Sequence, residues 1–363
     1  MLCLNMIVKN EAKVIARCLE SVKPIVDSWV IVDTGSTDGT QDIVRSVMKD
    51  LPGELHERPW KDFAHNRNEA IALARGRGDY LFVIDADDLV VLEPGFTMPT
   101  LSADGYYVSV EYGDTAYSRL HVFRADLDYR YVGVLHEVLV SDAQRSSGRI
   151  DGLVYRCAGG GARSDDPDKF RKDAAVLERA IREDPSNARN VFYLAQSWRD
   201  CGELAKALEA YERRVAMGGW EEEVFCSLHE IGRLTVRLEK GDAAVTAAFL
   251  RAYERRPSRA EPLCSLASYL RERERRAAAY PFARVAAETP KPDDILFLDA
   301  SVYAWRALDE WAVAAYWTDR HEEAIRANER LLAGNALPEG ERARVKKNMQ
   351  FSLERLGRAA GPD

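Results

Sequence analysis

The first ninety or so residues alternate between short apolar runs and amphipathic stretches, with polar clusters at the junctions. Leu2-Cys3-Leu4-Asn5-Met6-Ile7-Val8 reads as a buried strand. It runs through Lys9-Asn10-Glu11 into a segment where Val14, Ile15, Cys18, Leu19 and Val22 recur at helical spacing. Trp29-Val30-Ile31-Val32 starts the same pattern again, passing through the polar loop from Asp33 to Thr40 into a second amphipathic helix that runs to about Met48. Tyr80 to Ile84 is a third apolar run, and it ends in Asp85-Ala86-Asp87-Asp88. Repeated strand, turn and helix predict an α/β sheet, and in open α/β sheets ligands bind outside the carboxyl ends of the strands. Three consecutive strand ends carry carboxylates, amides and hydroxyls, so the pattern predicts one shared site.

After Ser164-Asp165-Asp166-Pro167-Asp168 the strands give way to helices. Phe192 to Trp198, Cys201-Gly202-Glu203-Leu204 and Ala205 to Tyr211 have the small, apolar and aromatic rhythm of a tetratricopeptide helix pair; Gly241-Asp242 and Asp319-Arg320-His321 begin similar units. The spacing predicts roughly three to five imperfect pairs. The expected organisation is an α/β domain over 1–162 and an all-α repeat domain over 163–363.

The chemistry concentrates in the first part. Side chains alternate along a strand, so Asp85 and Asp87 point the same way and can present two carboxylates to one hard cation; an ordinary acidic turn is the alternative. The Asp33 loop does not fit a calcium-binding helix-loop-helix, because its sixth position is Asp38 where glycine is required and no glutamate closes a twelve-residue loop. Its glycines permit a tight turn, and Ser36, Thr37 or Asp38 are expected to cap the following helix. That leaves Asp33, at the strand tip, without a structural role.

Composition fits two soluble domains: 363 residues, 46% of them hydrophobic, suffice for sizeable cores. The six cysteines form no Cys-X-X-Cys pair, which points to a reducing cytoplasm. The apolar start is interrupted too soon by Lys9 for a signal peptide, and no run reaches the length of a membrane span. A formal charge of −8 argues against a broad nucleic-acid surface, and the interleaved Arg271 to Arg276 run reads as a solvated helix face.

Asn5-Met6-Ile7-Val8-Lys9-Asn10-Glu11, Val32 to Thr40, Trp60 to Asn68 and Asp85-Ala86-Asp87 together, in this order, resemble glycosyltransferase family 2, with its GT-A fold. The helical remainder is similar to the tetratricopeptide-type arrays of bacterial peptide S-glycosyltransferases. The resemblance implies a Rossmann-like domain binding a nucleotide-sugar, most simply a UDP-sugar, and a metal-dependent, inverting transfer. It implies that Asp33 grips the base or ribose, with Asn10 and Glu11 lining the same pocket, and that Arg67 contacts the diphosphate or the sugar. Asp85 would approach the ribose or a metal-bound water, and Asp87 would coordinate Mn2+ or Mg2+. Tyr131 to Glu137 is similar to a histidine-glutamate element of these proteins: Glu137 is the leading candidate for the base, with Asp88 and Glu111 behind it, and His136 either ligates the metal or orients its neighbour.

The chain also departs from that pattern. Relatives carry a His-Tyr-Gly element shortly after the histidine-glutamate pair, whereas this stretch reads Tyr155-Arg156-Cys157-Ala158-Gly159-Gly160-Gly161-Ala162-Arg163. Either His136 or water completes the metal site, or Arg156 and Arg163 replace part of its charge, or activity is impaired; the glycines either admit a phosphate or form a joint between domains. Two functions stay open: a sugar transfer to a peptide or protein side chain, with DNA or a glycan as other acceptors, or a binding scaffold with a degenerate transferase domain.

Overall fold

The computed structural model describes residues 1–113 and 115–358. Its apolar runs become strands buried on both faces. β1 (Leu2–Val8) turns Leu2, Leu4, Met6 and Val8 to one side, where they meet α1 (Ile15–Val22), and Cys3 to the other. β2 (Ser28–Asp33) is buried throughout and leads into α2 (Thr40–Val47) and β3 (Gly53–Glu57). α3 (Phe63–Ala74) covers the second face, packing Ile71 and Ala74 against Cys3, Val30 and Leu81. Burial on both faces is why these strands read as unbroken apolar runs and not as alternating ones. The polar side chain in β1, Asn5, donates from Nδ2 to the Ala70 carbonyl of α3 at 2.9 Å.

The chain continues through β4 (Tyr80–Val83), β5 (Leu89–Leu92), β6 (Gly105–Tyr112) and β7 (Thr115–Arg124). A short ribbon of β8 (Arg130–Val132) and β9 (Val138–Val140) follows, and then β10 (Ser147–Arg156). The sheet order is β3-β2-β1-β4-β7-β6-β10-β5. β3, β2, β1 and β4 are parallel; β7 runs antiparallel to β4 and pairs with it at Phe82↔Val122. Val8 pairs with Asp33, and Asn5 with Val83, so the carboxyl ends of β1, β2 and β4 lie side by side. The mixed α/β architecture expected from the sequence is therefore present, and it assembles the three polar strand ends along one edge.

The helices begin with α4 (Lys169–Glu183) and α5 (Ala188–Asp200), which pack on each other. The chain divides into compact units Met1–Gly202 and Glu203–Asp363, so this first pair belongs with the α/β part, two helices beyond the change in composition. The second unit comprises α6 (Leu204–Met217), α7 (Glu221–Arg237), α8 (Asp242–Arg255), α9 (Glu261–Glu272), α10 (Arg276–Glu288), α11 (Ala307–Tyr316), α12 (His321–Ala333) and α13 (Glu339–Arg355). Each packs on the next, the serial arrangement of a tetratricopeptide-type array. Gly232 of α7 makes one such approach possible, since a Cβ there would fall 2.5 Å from the Phe249 ring of α8. Trp311 is buried in this array, while Trp220 and Trp317 are exposed. Among the described residues no helix is long and apolar enough to cross a membrane.

Candidate functional site

Asp33 ends β2 with its side chain fully buried. Its Oδ1 accepts from the backbone N–H groups of Gly35 at 2.9 Å and Ser36 at 2.8 Å, which corrects the expectation that it has no structural role: it shapes the turn. Among the described residues its Oδ2 is buried with no hydrogen-bond partner, an acceptor open to a ligand's donor. The N-cap position of α2 is Gly39 at φ +91°, and of the three expected capping side chains Asp38 serves the helix start, its Oδ1 accepting from Thr40 N–H at 3.1 Å; the loop side chains also make longer-range bonds. They lash the loop to the end of β1: Asn10 N–H donates to Ser36 Oγ and Glu11 N–H to Thr40 Oγ1, both at 2.8 Å, and Ala12 N–H to Asp38 Oδ2 at 2.9 Å. Asn10 Oδ1 accepts in return from Thr37 N–H at 2.8 Å. The first two strand ends thus form one rigid rim.

The His65-Asn66-Arg67-Asn68 turn shows why each residue is there. Asp62 caps α3 by accepting from His65 N–H at 2.7 Å. Asn66, fully buried, accepts from Lys61 N–H and donates to the Pro59 carbonyl. Asn68 clasps the Tyr131 backbone in both directions, at 2.7 and 3.0 Å, and so fixes β8 on α3. Arg67 reaches inward: Nε donates to Glu137 Oε1 and Nη2 to Asp85 Oδ1, each at 2.5 Å, and the guanidinium lies over the Tyr131 ring. Burial alone would raise the Asp85 carboxyl, but the Arg67 and Arg119 charges override it and hold it below its ordinary value. One arginine therefore links the end of β4 to the loop between β8 and β9.

Asp88 is engaged on both oxygens, by the Tyr155 hydroxyl and by Ala158 N–H at 3.2 Å. Burial and the Asp85 and Asp87 charges nevertheless push it up to about 6. It anchors the segment after β10. That glycine-rich segment folds over Asp87: a Cβ on Gly161 would lie 2.9 Å from Asp87 Oδ2 and 3.0 Å from Glu11 Oε2. Arg17 holds it there, donating to the carbonyls of Asp87 and Gly159. Glu11 accepts from Ala162 N–H at 3.3 Å, yet burial and the charges of Asp87, Asp38 and Asp85 push it up to about 7. Glu11 and Asp87 therefore face the same point, and among the described residues the Asp87 carboxylate has no hydrogen-bonding protein partner.

His136, at φ +50°, stacks on Tyr193 of α5 with ring centroids 4.0 Å apart, and Arg189 donates to its carbonyl at 2.9 Å. Burial, with the Arg163 and Arg189 charges, pushes the imidazole down to about 4, so it is neutral near pH 7. Among the described residues no three His, Cys, Asp or Glu side chains gather as a metal cluster. The donor set still fits a hard divalent ion of the kind that takes one or two protein carboxylates and completes its shell with substrate phosphates: Asp87 is free, and Glu11 stands beside it. Of the two arginines considered as substitutes for the missing histidine, Arg156 pairs with Glu111 at 2.9 Å and Arg163 pairs with Asp173. Neither is a free charge, and Glu111 is committed by the same contact.

Two site residues escaped the sequence reading. Arg119 and His121 share one face of β7, next to β4. His121 Nδ1 donates to the Val83 carbonyl at 2.8 Å, its ring stacks on Tyr155, and burial pushes it down to about 3. The only signal available was the alternation of Arg119 and His121 with Leu120 and Val122 along the strand.

Residues 3–93 match the family described as glycosyl transferase family 2. A TPR repeat-containing protein of Synechococcus elongatus is 37% identical over 148 residues, which is 39% of this chain and 35% of that protein. The SPbeta prophage-derived glycosyltransferase SunS of Bacillus subtilis is 26% identical over 205 residues, 53% of this chain and 48% of that protein. The chain thus spans about half or less of the length of these relatives. Among solved structures, MamA aligns with 52% of this chain and 90% of its own at a TM-score of 0.34 and 14% identity.

Proposed function

We propose that the family 2 glycosyl transferase domain at the start of this chain moves a sugar from a nucleoside diphosphate donor, a UDP-sugar first, to an acceptor nucleophile with inversion at the anomeric carbon. The observation that carries this reading is the gathering of Asp33, Asp85 and Asp87 at adjacent strand ends, with Arg67 of α3 joining Asp85 to Glu137 and, among the described residues, Asp33 Oδ2 and the Asp87 carboxylate without protein partners. Asp33 receives donors of the base or ribose, and Asn10 and Glu11 wall that pocket. Glu137 keeps one oxygen on Arg67 and takes the acceptor proton with the other as the new glycosidic bond forms and the bond to the diphosphate breaks. Arg67 holds Asp85 and Glu137 in place and presents its remaining donors to anionic oxygen. Asp87, beside Asp85 and Glu11, would hold Mn2+ or Mg2+; when bound, such an ion neutralises charge on the leaving diphosphate. His136, clamped by Tyr193, orients Glu137. Asp88 anchors the glycine loop and is the second candidate for the base.

The acceptor is proposed to be a peptide or protein side chain, because repeat arrays present extended surfaces suited to peptides. The experiment is diphosphate release from UDP- and GDP-sugars with Mn2+ or Mg2+, comparing wild type with Asp87→Ala and recording thermal melting alongside. Turnover in the wild type, lost in a folded Asp87→Ala, supports the reading. Undiminished turnover in the variant removes Asp87 from the metal. Nucleotide binding without turnover would favour the scaffold reading, which the absent histidine and the engaged Arg156 and Arg163 support.

A further inference from the structure

The cations around the site are nearly all committed. Arg67 is shared between two carboxylates, Arg156 is paired with Glu111, Arg163 with Asp173, and Arg17 is spent on carbonyls. Arg119 is the exception: among the described residues its guanidinium has no hydrogen-bonded or ion-paired partner, although it is half-buried. The fold explains where it points. β4 pairs with β7 as far as Phe82↔Val122 and then bends away into Asp85-Ala86-Asp87-Asp88. His121, one residue further along β7, closes the end of β4 through the Val83 carbonyl. β7 is bulged between Val122 and Leu120, and Arg119, paired with Val108 beyond the bulge, lies on the same face as His121, further along the direction of β4.

Its surroundings confirm the address. Arg119 lies within electrostatic reach of Asp85, Tyr131, Tyr155 and Arg67, and its charge is felt by His136, Tyr117, Cys157 and His121. Those groups come from every element facing it: β4 and its turn, α3, β8 with its loop, β7 and β10. Asp85, the carboxylate whose charge Arg119 feels, is held by Arg67. Two guanidiniums therefore stand near each other with too few acceptors between them. The Arg119 nitrogens are not among the buried unpartnered atoms, so they remain open to what enters the site, and a diphosphate offers several oxygens in the planar geometry that arginine matches.

We propose that Arg119 is a direct ligand of the donor's diphosphate, supplying the positive charge that the missing late histidine and the engaged Arg156 and Arg163 do not. This rests on the glycosyl transfer reading above. Arg119 binds the two phosphates in the ground state and as the sugar departs, without acting through the metal.

The test uses the full-length protein, with calorimetric binding of UDP, GDP and the matching free nucleosides to wild type, Arg119→Met and Arg119→Lys, each with Mn2+ and with a chelator. The expected result is a loss of about ten- to hundredfold in nucleoside diphosphate affinity for Arg119→Met, in proportion to one charge-assisted contact. The loss persists with chelator, nucleoside affinity is unchanged, and Arg119→Lys recovers part of the binding. The melting temperature of ligand-free Arg119→Met stays close to that of wild type, because no hydrogen bond or ion pair among the described residues is lost and the lost attraction to Asp85 is set against the relieved repulsion from Arg67. Unchanged diphosphate affinity in Arg119→Met overturns the proposal, and so does a parallel loss of nucleoside and diphosphate binding. If wild type binds neither nucleoside nor diphosphate, the transfer reading itself falls and this proposal falls with it; that outcome is separate, since it is read from wild type alone.

Discussion

Arg67 and Glu137 meet in an ion pair of 2.5 Å, with both side chains largely withdrawn from solvent. The pair fixes one carboxylate oxygen of Glu137 and leaves Oε2 for the acceptor, so positioning and proton transfer are divided between two atoms of one group. Glu137→Gln keeps an oxygen for Arg67 but cannot take a proton at neutral pH. Its transfer rate should fall by about 10²- to 10⁴-fold, with donor affinity within a few-fold of wild type. Rates and calorimetric affinities on one preparation check this; an equal fall in both would make Glu137 a binding residue and move the base to Asp88.

Arg67→Met removes the ion-paired cation of Asp85 and Glu137, leaving Asp85 only the charge of Arg119. Removing one partner of such a pair strands the other charge, so denaturant unfolding should show a loss on the order of 3 kcal/mol. In the double variant Arg67→Met/Glu137→Gln, part of that loss should return, because one stranded charge is gone. A double variant no more stable than Arg67→Met would mean that the cost comes from lost packing over Tyr131.

Gly161→Ala separates activity from stability. The backbone at Gly161 has φ −66°, which alanine adopts freely, but the added methyl would lie 2.9 Å from Asp87 Oδ2 and 3.0 Å from Glu11 Oε2. These carboxylates must shift. Transfer should drop at least about tenfold while unfolding free energy changes by less than about 1 kcal/mol. Full activity in the alanine variant would show that the glycine loop has no hold on the two acids.

His229 supplies a pH signature within the helical unit. It lies between Phe225 and Phe249, meets Ser265 Oγ at 3.2 Å, and burial pushes it down to about 4. The folded chain keeps this imidazole neutral, whereas the unfolded chain protonates it as pH falls through about 6.5. Unfolded protein therefore binds more protons between pH 6.5 and 4, and stability falls with pH across that window. Between pH 7 and 5 wild type should lose about 2 kcal/mol more than His229→Gln, measured by urea denaturation. Parallel pH curves would show that the imidazole is solvated.

The sequence by itself determined the elements and the chemical inventory of the site. β1, β2 and β4 were legible because burial on both faces forces unbroken apolar runs, and their polar ends because a sheet interior has no use for clustered acids. Asp33, Asp85 and Asp87 stood out by type and place, Arg67 and Glu137 only through the resemblance to family 2 glycosyltransferases, and the run of helices by its rhythm. Tertiary structure alone decided which of these groups are already spent. Arg67 and Glu137 are 70 residues apart, Glu11 and Ala162 are 151 apart, and no local pattern encodes such pairings. They are settled by how β7, inserted antiparallel beside β4, and the loop after β10 close over the strand ends. The same closure left Arg119 without a hydrogen-bonded or ion-paired partner among the described residues while engaging Arg156 and Arg163, and it set the first helix pair against His136 through Tyr193. A charge's availability depends on its neighbours in space, and the chain's order lists only its neighbours in sequence.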